Sequence, residues 1–164
     1  MYYIIQYLKH RFTASNQHGI HSPFVYNYLT KCVYRKSKFK ASKSEKVVLK
    51  SIAYFKMEKL KVISATTAFK NLIRQELDLK LLDNAKLDFI YSDAPSDDVI
   101  SIHKEQLHND SMILVANIYT FKSNIAIWEA LKQNDAVTVS IDLFHCGVLF
   151  FRKEQVKEHF KIRI

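Results

Sequence analysis

The hydrophobic pattern of this chain changes period near residue 61. Before that point apolar residues recur at helical spacing. Ile4, Ile5, Leu8 and Phe12 mark a first helix, with Lys9, His10 and Arg11 toward its C-terminal end, where cations suit the helix dipole. Ser22 followed by Pro23 predicts an N-cap and an N1 proline for a second helix, whose stripe is Phe24, Val25, Tyr28, Leu29, Cys32 and Val33 and which ends near Arg35. Ser42, with Glu45 three residues later, predicts a capping box for a third helix that carries Val48, Leu49, Ile52 and Phe55 and reaches about Met57.

After residue 61 short apolar runs take over: Lys61–Ala65, Leu87–Tyr91, Met112–Ala116, Val137–Ile141 and Val148–Phe151. These read as five strands. The first three are apolar at nearly every position, as strands of a parallel sheet covered on both faces are. Helical patterns fill the connections. Phe69, Leu72, Ile73 and Leu77 mark one, Ser96 with Asp97 and Asp98 in a first turn starts another, and Ser123 is the expected cap of a third through Ile127, Trp128 and Leu131. Only Asp142 to Gly147 join the last two strands, too few residues for a parallel crossover, so that pair is expected to be an antiparallel hairpin. The expected fold class is α/β: a Rossmann-like, mostly parallel sheet with a C-terminal hairpin, preceded by helices.

Composition narrows the chemistry. At 164 residues and 48% hydrophobic, the chain suits a single domain, 1–164, with a helical extension over 1–60 and an α/β core over 61–164. The two glycines, Gly19 and Gly147, lie too far apart for any glycine-rich phosphate loop. Cys32 and Cys146 have no CxxC partner, the start lacks a secretory pattern, and no apolar run is long enough to span a bilayer, so a cytoplasmic protein with no transmembrane segment is expected. His18 and His21 are three apart and near His10, but no cysteine or carboxylate accompanies them in sequence, and no metal site is expected. His145 stands beside Asp142, a pair able to do acid/base work, in a turn expected to be exposed. The nine tyrosines and eleven phenylalanines are assigned to packing.

The net charge of +9 is unevenly placed. Residues 1–60 hold twelve Lys and Arg against two acids, and 61–164 hold thirteen against fourteen. The excess is densest from Lys31 to Lys59, through Lys36, Lys38, Lys40, Lys43, Lys46 and Lys50. Such a segment would attract nucleic acid or an anionic membrane surface, or serve as a solvated lysine-rich helix face.

Two longer stretches point to a family. Val137-Thr138-Val139-Ser140-Ile141-Asp142-Leu143-Phe144-His145-Cys146-Gly147-Val148-Leu149-Phe150-Phe151-Arg152-Lys153, followed by Lys157-Glu158-His159-Phe160, resembles the C-terminal signature of bacterial class I S-adenosylmethionine-dependent methyltransferase-like proteins. His18-Gly19-Ile20-His21-Ser22-Pro23-Phe24-Val25-Tyr26 is similar to the start of the same group, with Leu87-Asp88-Phe89-Ile90 and Asn117-Ile118-Tyr119 between.

That resemblance implies S-adenosylmethionine as cofactor and methyl transfer to an unidentified acceptor. It would put the cofactor against Ser64, Ala65, Thr66, Asp93 and Asn117, and it makes Asp93, His18 and His21 the candidate catalytic or acceptor-lining residues. The departures are specific. Ser64-Ala65-Thr66 stand where the family has an acidic, glycine-rich loop, and Ala116-Asn117 replace the acidic pair with which some relatives hold a divalent cation. About twenty residues separate the first strand from Leu87, too few for the two further strands of the family, one of which ends in the ribose-binding acid. The expected protein is therefore a shortened, degenerate member with weak or lost methyl transfer and a sheet ordered 1-4-5-7-6 in family terms. The alternative is a non-catalytic module that binds nucleic acid or protein through its basic helices. The first strand, left at an edge, would be open to pairing with a second copy.

Overall fold

A computed structural model describes residues 1–76 and 86–164. The helices are α1 (Tyr2–Thr13), α2 (Pro23–Tyr28, continued by a π turn over Leu29–Val33), α3 (Lys43–Phe55), α4 (Thr67–Glu76), α5 (Val99–His103) and α6 (Lys122–Gln133). The strands are β1 (Leu60–Ser64), β2 (Phe89–Ser92), β3 (Met112–Ala116), β4 (Val139–Asp142), β5 (Cys146–Phe150) and β6 (Glu158–Lys161). They form one mixed sheet in the order β1-β2-β3-β5-β4-β6, in which β5 alone runs against its neighbours. Five strands thus take the expected order, with β1 at one edge and β4–β5 as the hairpin.

Alternation along the strands divides the core. Phe89, Tyr91, Met112, Leu114, Ile141, Val148 and Phe150 face a layer built from α2, α3 and α4, where Tyr28, Val48, Ile52 and Phe69 meet them. Ile90, Ile113, Val115 and Leu149 face the other way, onto Ile100 of α5 and Trp128 and Leu131 of α6. Covering both faces is what leaves every residue of β2 and β3 buried, all of them apolar in β3. Gly147 permits close contact, since a Cβ there would stand 2.4 Å from ring carbons of Trp128.

The capping box holds as expected: Glu45 N–H donates to Ser42 Oγ at 3.3 Å, and Ser42 N–H to Glu45 Oε2 at 2.8 Å. Other boundaries move. Ser123 is not a cap: α6 starts one residue earlier, with Phe121 in the cap position and no side-chain cap bond. Residues 96–98 form a turn, and α5 starts at Val99. Leu77 lies outside the described residues. β6, polar at Glu158, His159 and Lys161, is a sixth strand beyond the five expected. It pairs with β4 in parallel, a charged edge strand of the kind that resists further pairing.

The largest departure concerns α1. Its stripe of Ile4, Ile5, Leu8 and Phe12 does not face the core, being 62%, 44%, 47% and 85% exposed. Tyr7 and His10 turn inward instead and, with the partly exposed Tyr3, meet Phe144 edge-on, the ring centroids of Tyr3, Tyr7 and His10 lying 5.1, 5.1 and 5.4 Å from its own. The helix lies over the β4–β5 turn, at the carboxyl ends of the parallel strands. Its exit is fixed by a bridge between Ser15 and Ile162 just past β6.

Candidate functional site

In open α/β sheets, ligands bind in the crevice outside the carboxyl ends of the parallel strands. Here that edge is formed by Ser64 at the end of β1, Asp93 after β2, Asn117 after β3 and the turn Leu143–His145 between β4 and β5. The structure gathers three of the sequence-derived residues. Asp93 N–H donates to Ser64 Oγ at 3.0 Å, bridging the ends of β1 and β2. Asn117 Nδ2 donates to the Asp93 carbonyl at 2.8 Å and to its carboxylate at 3.4 Å. Tyr91 donates its hydroxyl to the same carboxylate oxygen at 3.0 Å, and burial together with Asp93 pushes the phenol well above its ordinary value.

Asn117 is held in a left-handed conformation at φ 58°, which asparagine tolerates better than most residues. Its N–H donates to the His145 carbonyl at 2.9 Å, and its carbonyl accepts from Asn124 Nδ2 at 2.8 Å. Asn117 therefore ties the end of β3 to Asp93 after β2 through its side chain, and to the hairpin and α6 through its backbone. Thr66 accepts from Phe69 N–H at 3.2 Å and caps α4, while Ala65 packs half-buried against the core. In this arrangement Ser64, Thr66, Asp93 and Asn117 bond to the protein itself.

At the β4–β5 end lies a second cluster. The turn is not exposed, contrary to expectation, and Asp142 does not pair with His145. Asp142 is buried, and His10 Nε2 donates to its Oδ1 at 3.0 Å. Tyr119 donates to Oδ2 at 2.6 Å and Phe144 N–H to Oδ1 at 2.9 Å. Burial works to raise the Asp142 pKa, but the bonds from His10, Tyr119 and Phe144 outweigh it and hold the carboxyl below its ordinary value. Burial and Asp142 push the Tyr119 phenol up, so it remains a donor. His145, half-buried, faces Tyr3, with Nδ1 3.3 Å from the hydroxyl. Its imidazole is pushed down to about 4, by burial first and then by the charges of Lys43 and His10.

Between these clusters a cavity of about 350 Å³ remains, lined by Ser42, Lys43, Ser44, Asn117, Tyr119 and His145 among others. His18 and His21 do not reach it. Both are exposed in the segment between α1 and α2, where the Asn16 side chain caps a short 3-10 turn by accepting from His18 N–H. Sequence reasoning missed His10 and Tyr119. The signal available for His10 was its place on the arc of α1 shared with Tyr3, opposite Ile4 and Leu8.

The basic segment is mixed in character. Lys36, Lys38, Lys40 and Lys43 are exposed, whereas Lys50 is partly buried and donates to the carbonyls of Val33 and Arg35, tying α3 to the end of the π turn. Burial moves its pKa down. Among the described residues no three His, Cys, Asp or Glu side chains cluster so as to hold a metal ion, and no described helix is long and apolar enough to cross a membrane. No protein-family model matches the chain, and no curated protein matches its sequence at a significant level.

Proposed function

We propose that this chain is a shortened methyltransferase-like scaffold that works as an interaction module, with transfer from S-adenosylmethionine lost. The observation that carries this reading is the engagement of Ser64, Asp93 and Asn117 with one another at the ends of β1, β2 and β3. A cofactor held there would have to break those bonds without the backbone freedom that loop glycines supply. The uneven charge supports the second half of the reading. The first acid in the chain is Glu45, so Lys9 and Arg11 of α1 and Lys31 of the π turn after α2 have no acid beside them in sequence, a surface suited to an anionic partner.

The test is thermal unfolding with S-adenosylmethionine or S-adenosylhomocysteine at millimolar concentration. A ligand at a hundred times its Kd adds about 2.7 kcal/mol, which is several degrees for a domain of this size. The expected result is no shift. A clear shift overturns the reading and restores a methyltransferase, with the cavity beside Asn117 and His145 as the place to look for an acceptor.

A further inference from the structure

Helix α1 is amphipathic in reverse. At about 100° of rotation per residue, Ile4, Leu8, Phe12 and Ile5 fall within an arc of about 100°, with Arg11 just beyond one side and Lys9 just beyond the other. That arc points to solvent, because the opposite side carries Tyr3, Tyr7 and His10 onto Phe144. An apolar stripe turned outward on a helix that is already docked has no use in the fold of this chain. It continues into an apolar depression of about 600 Å³ between α1, Ile125 of α6 and Lys161 of β6.

We propose that α1 is the surface by which the protein lies on an anionic phospholipid bilayer, with Ile4, Ile5, Leu8 and Phe12 in the acyl boundary and Lys9, Arg11 and Lys161 among the headgroups. This rests on the interaction-module reading and names its partner. Charge decides among occupants. A second copy of the same face would bring Lys9 and Arg11 against their own kind, with no acid on α1 to answer them and +9 on each chain. Nucleic acid would meet the cations but leave Ile4, Ile5 and Leu8 in water, since aliphatic side chains offer no platform for bases. An anionic bilayer satisfies both parts: apolar side chains enter the interface, and flanking Lys and Arg extend to phosphate along their own apolar stems.

The experiment is flotation of the full-length protein with vesicles of phosphatidylcholine and phosphatidylserine, against phosphatidylcholine alone. The wild-type chain is expected to float with the anionic vesicles, less so as salt is added. Leu8→Ser with Phe12→Ser, at exposed positions, should leave the melting temperature unchanged and cut binding by about tenfold or more. Lys9→Gln with Arg11→Gln should erase most of the preference for phosphatidylserine. Failure to float overturns the proposal, as does equal binding by the Leu8→Ser, Phe12→Ser variant. Sedimentation of a free dimer that this variant dissociates would assign the stripe to a second copy. Salt-sensitive binding of single-stranded RNA without vesicle binding would also overturn it, yet leave the interaction-module reading intact. Only a thermal shift with S-adenosylmethionine removes that reading.

Discussion

His10 Nε2 and Asp142 Oδ1 stand 3.0 Å apart, joining α1 to the end of β4 across 132 residues of sequence. Both side chains are buried, so the carboxylate depends on this contact and on Tyr119 for the hydrogen bonds that water would otherwise supply. Losing His10 leaves part of that need unmet. His10→Ala is expected to destabilise the fold by about 2–4 kcal/mol, and Tyr119→Phe by about 1–3 kcal/mol, measured by urea unfolding. Because the two share one carboxylate, their effects should not add, and a double-mutant cycle that finds simple additivity would contradict a single network.

Acid should weaken the protein in two stages. The His145 pKa lies at about 4 in the fold against an ordinary 6.5, so between those values the unfolded chain binds a proton that the folded chain does not. Stability is therefore full above about pH 6.5, declines toward pH 4 and then levels for this group. His159, lowered mainly by burial, acts in the same direction. Asp142 and Asp88 are held below 3.8, and their contribution is lost as pH falls below that value through their folded-state pKa. Urea midpoints measured from pH 7 downward should show both arms, and His145→Gln should flatten the upper one. An unchanged slope in that variant would remove His145 from the account.

Gly147 is a packing requirement, since its backbone is not among those at positive φ. Gly147→Ala would drive a methyl group into Trp128, which is fully buried and has no room to retreat. A cost of about 3 kcal/mol is expected. Trp128→Phe, which removes the colliding ring, should make the same substitution much less damaging, and equal damage in both backgrounds would point elsewhere.

The two thiols should be inert in the native state. Burial pushes Cys32 up to about 11 and Cys146 higher still. An aromatic disulfide reagent at neutral pH is expected to label neither until denaturant is added. Rapid labelling of either under native conditions would mean that the sheet face beneath α2 and α3 opens far more readily than its packing implies.

Much of the fold was legible from the sequence because its signals are local. Pro23 at N1, the Ser42–Glu45 box, the unbroken apolar run of Met112–Ala116 and the short Asp142–Gly147 connection each involve residues within a few positions of one another. The site was legible in part. Ser64, Asp93 and Asn117 fell at strand ends where a ligand crevice belongs, but their identities do not say that they bond to one another. That contact requires β1, β2 and β3 to be in register, across separations of 29 and 24 residues.

The sequence by itself determined the places of most helices and of five of the six described strands, the hairpin at the end of the sheet, the absence of a glycine loop and the crowding of positive charge before residue 60. Tertiary structure decided which way α1 faces. Periodicity gives a helix an apolar side but not its destination, and here the side of α1 with Tyr3, Tyr7 and His10 is the one that meets Phe144 and the Asp142 carboxylate. The buried carboxylate needed a donor, His10 supplied it, and the stripe of Ile4, Leu8 and Phe12 was turned to the outside.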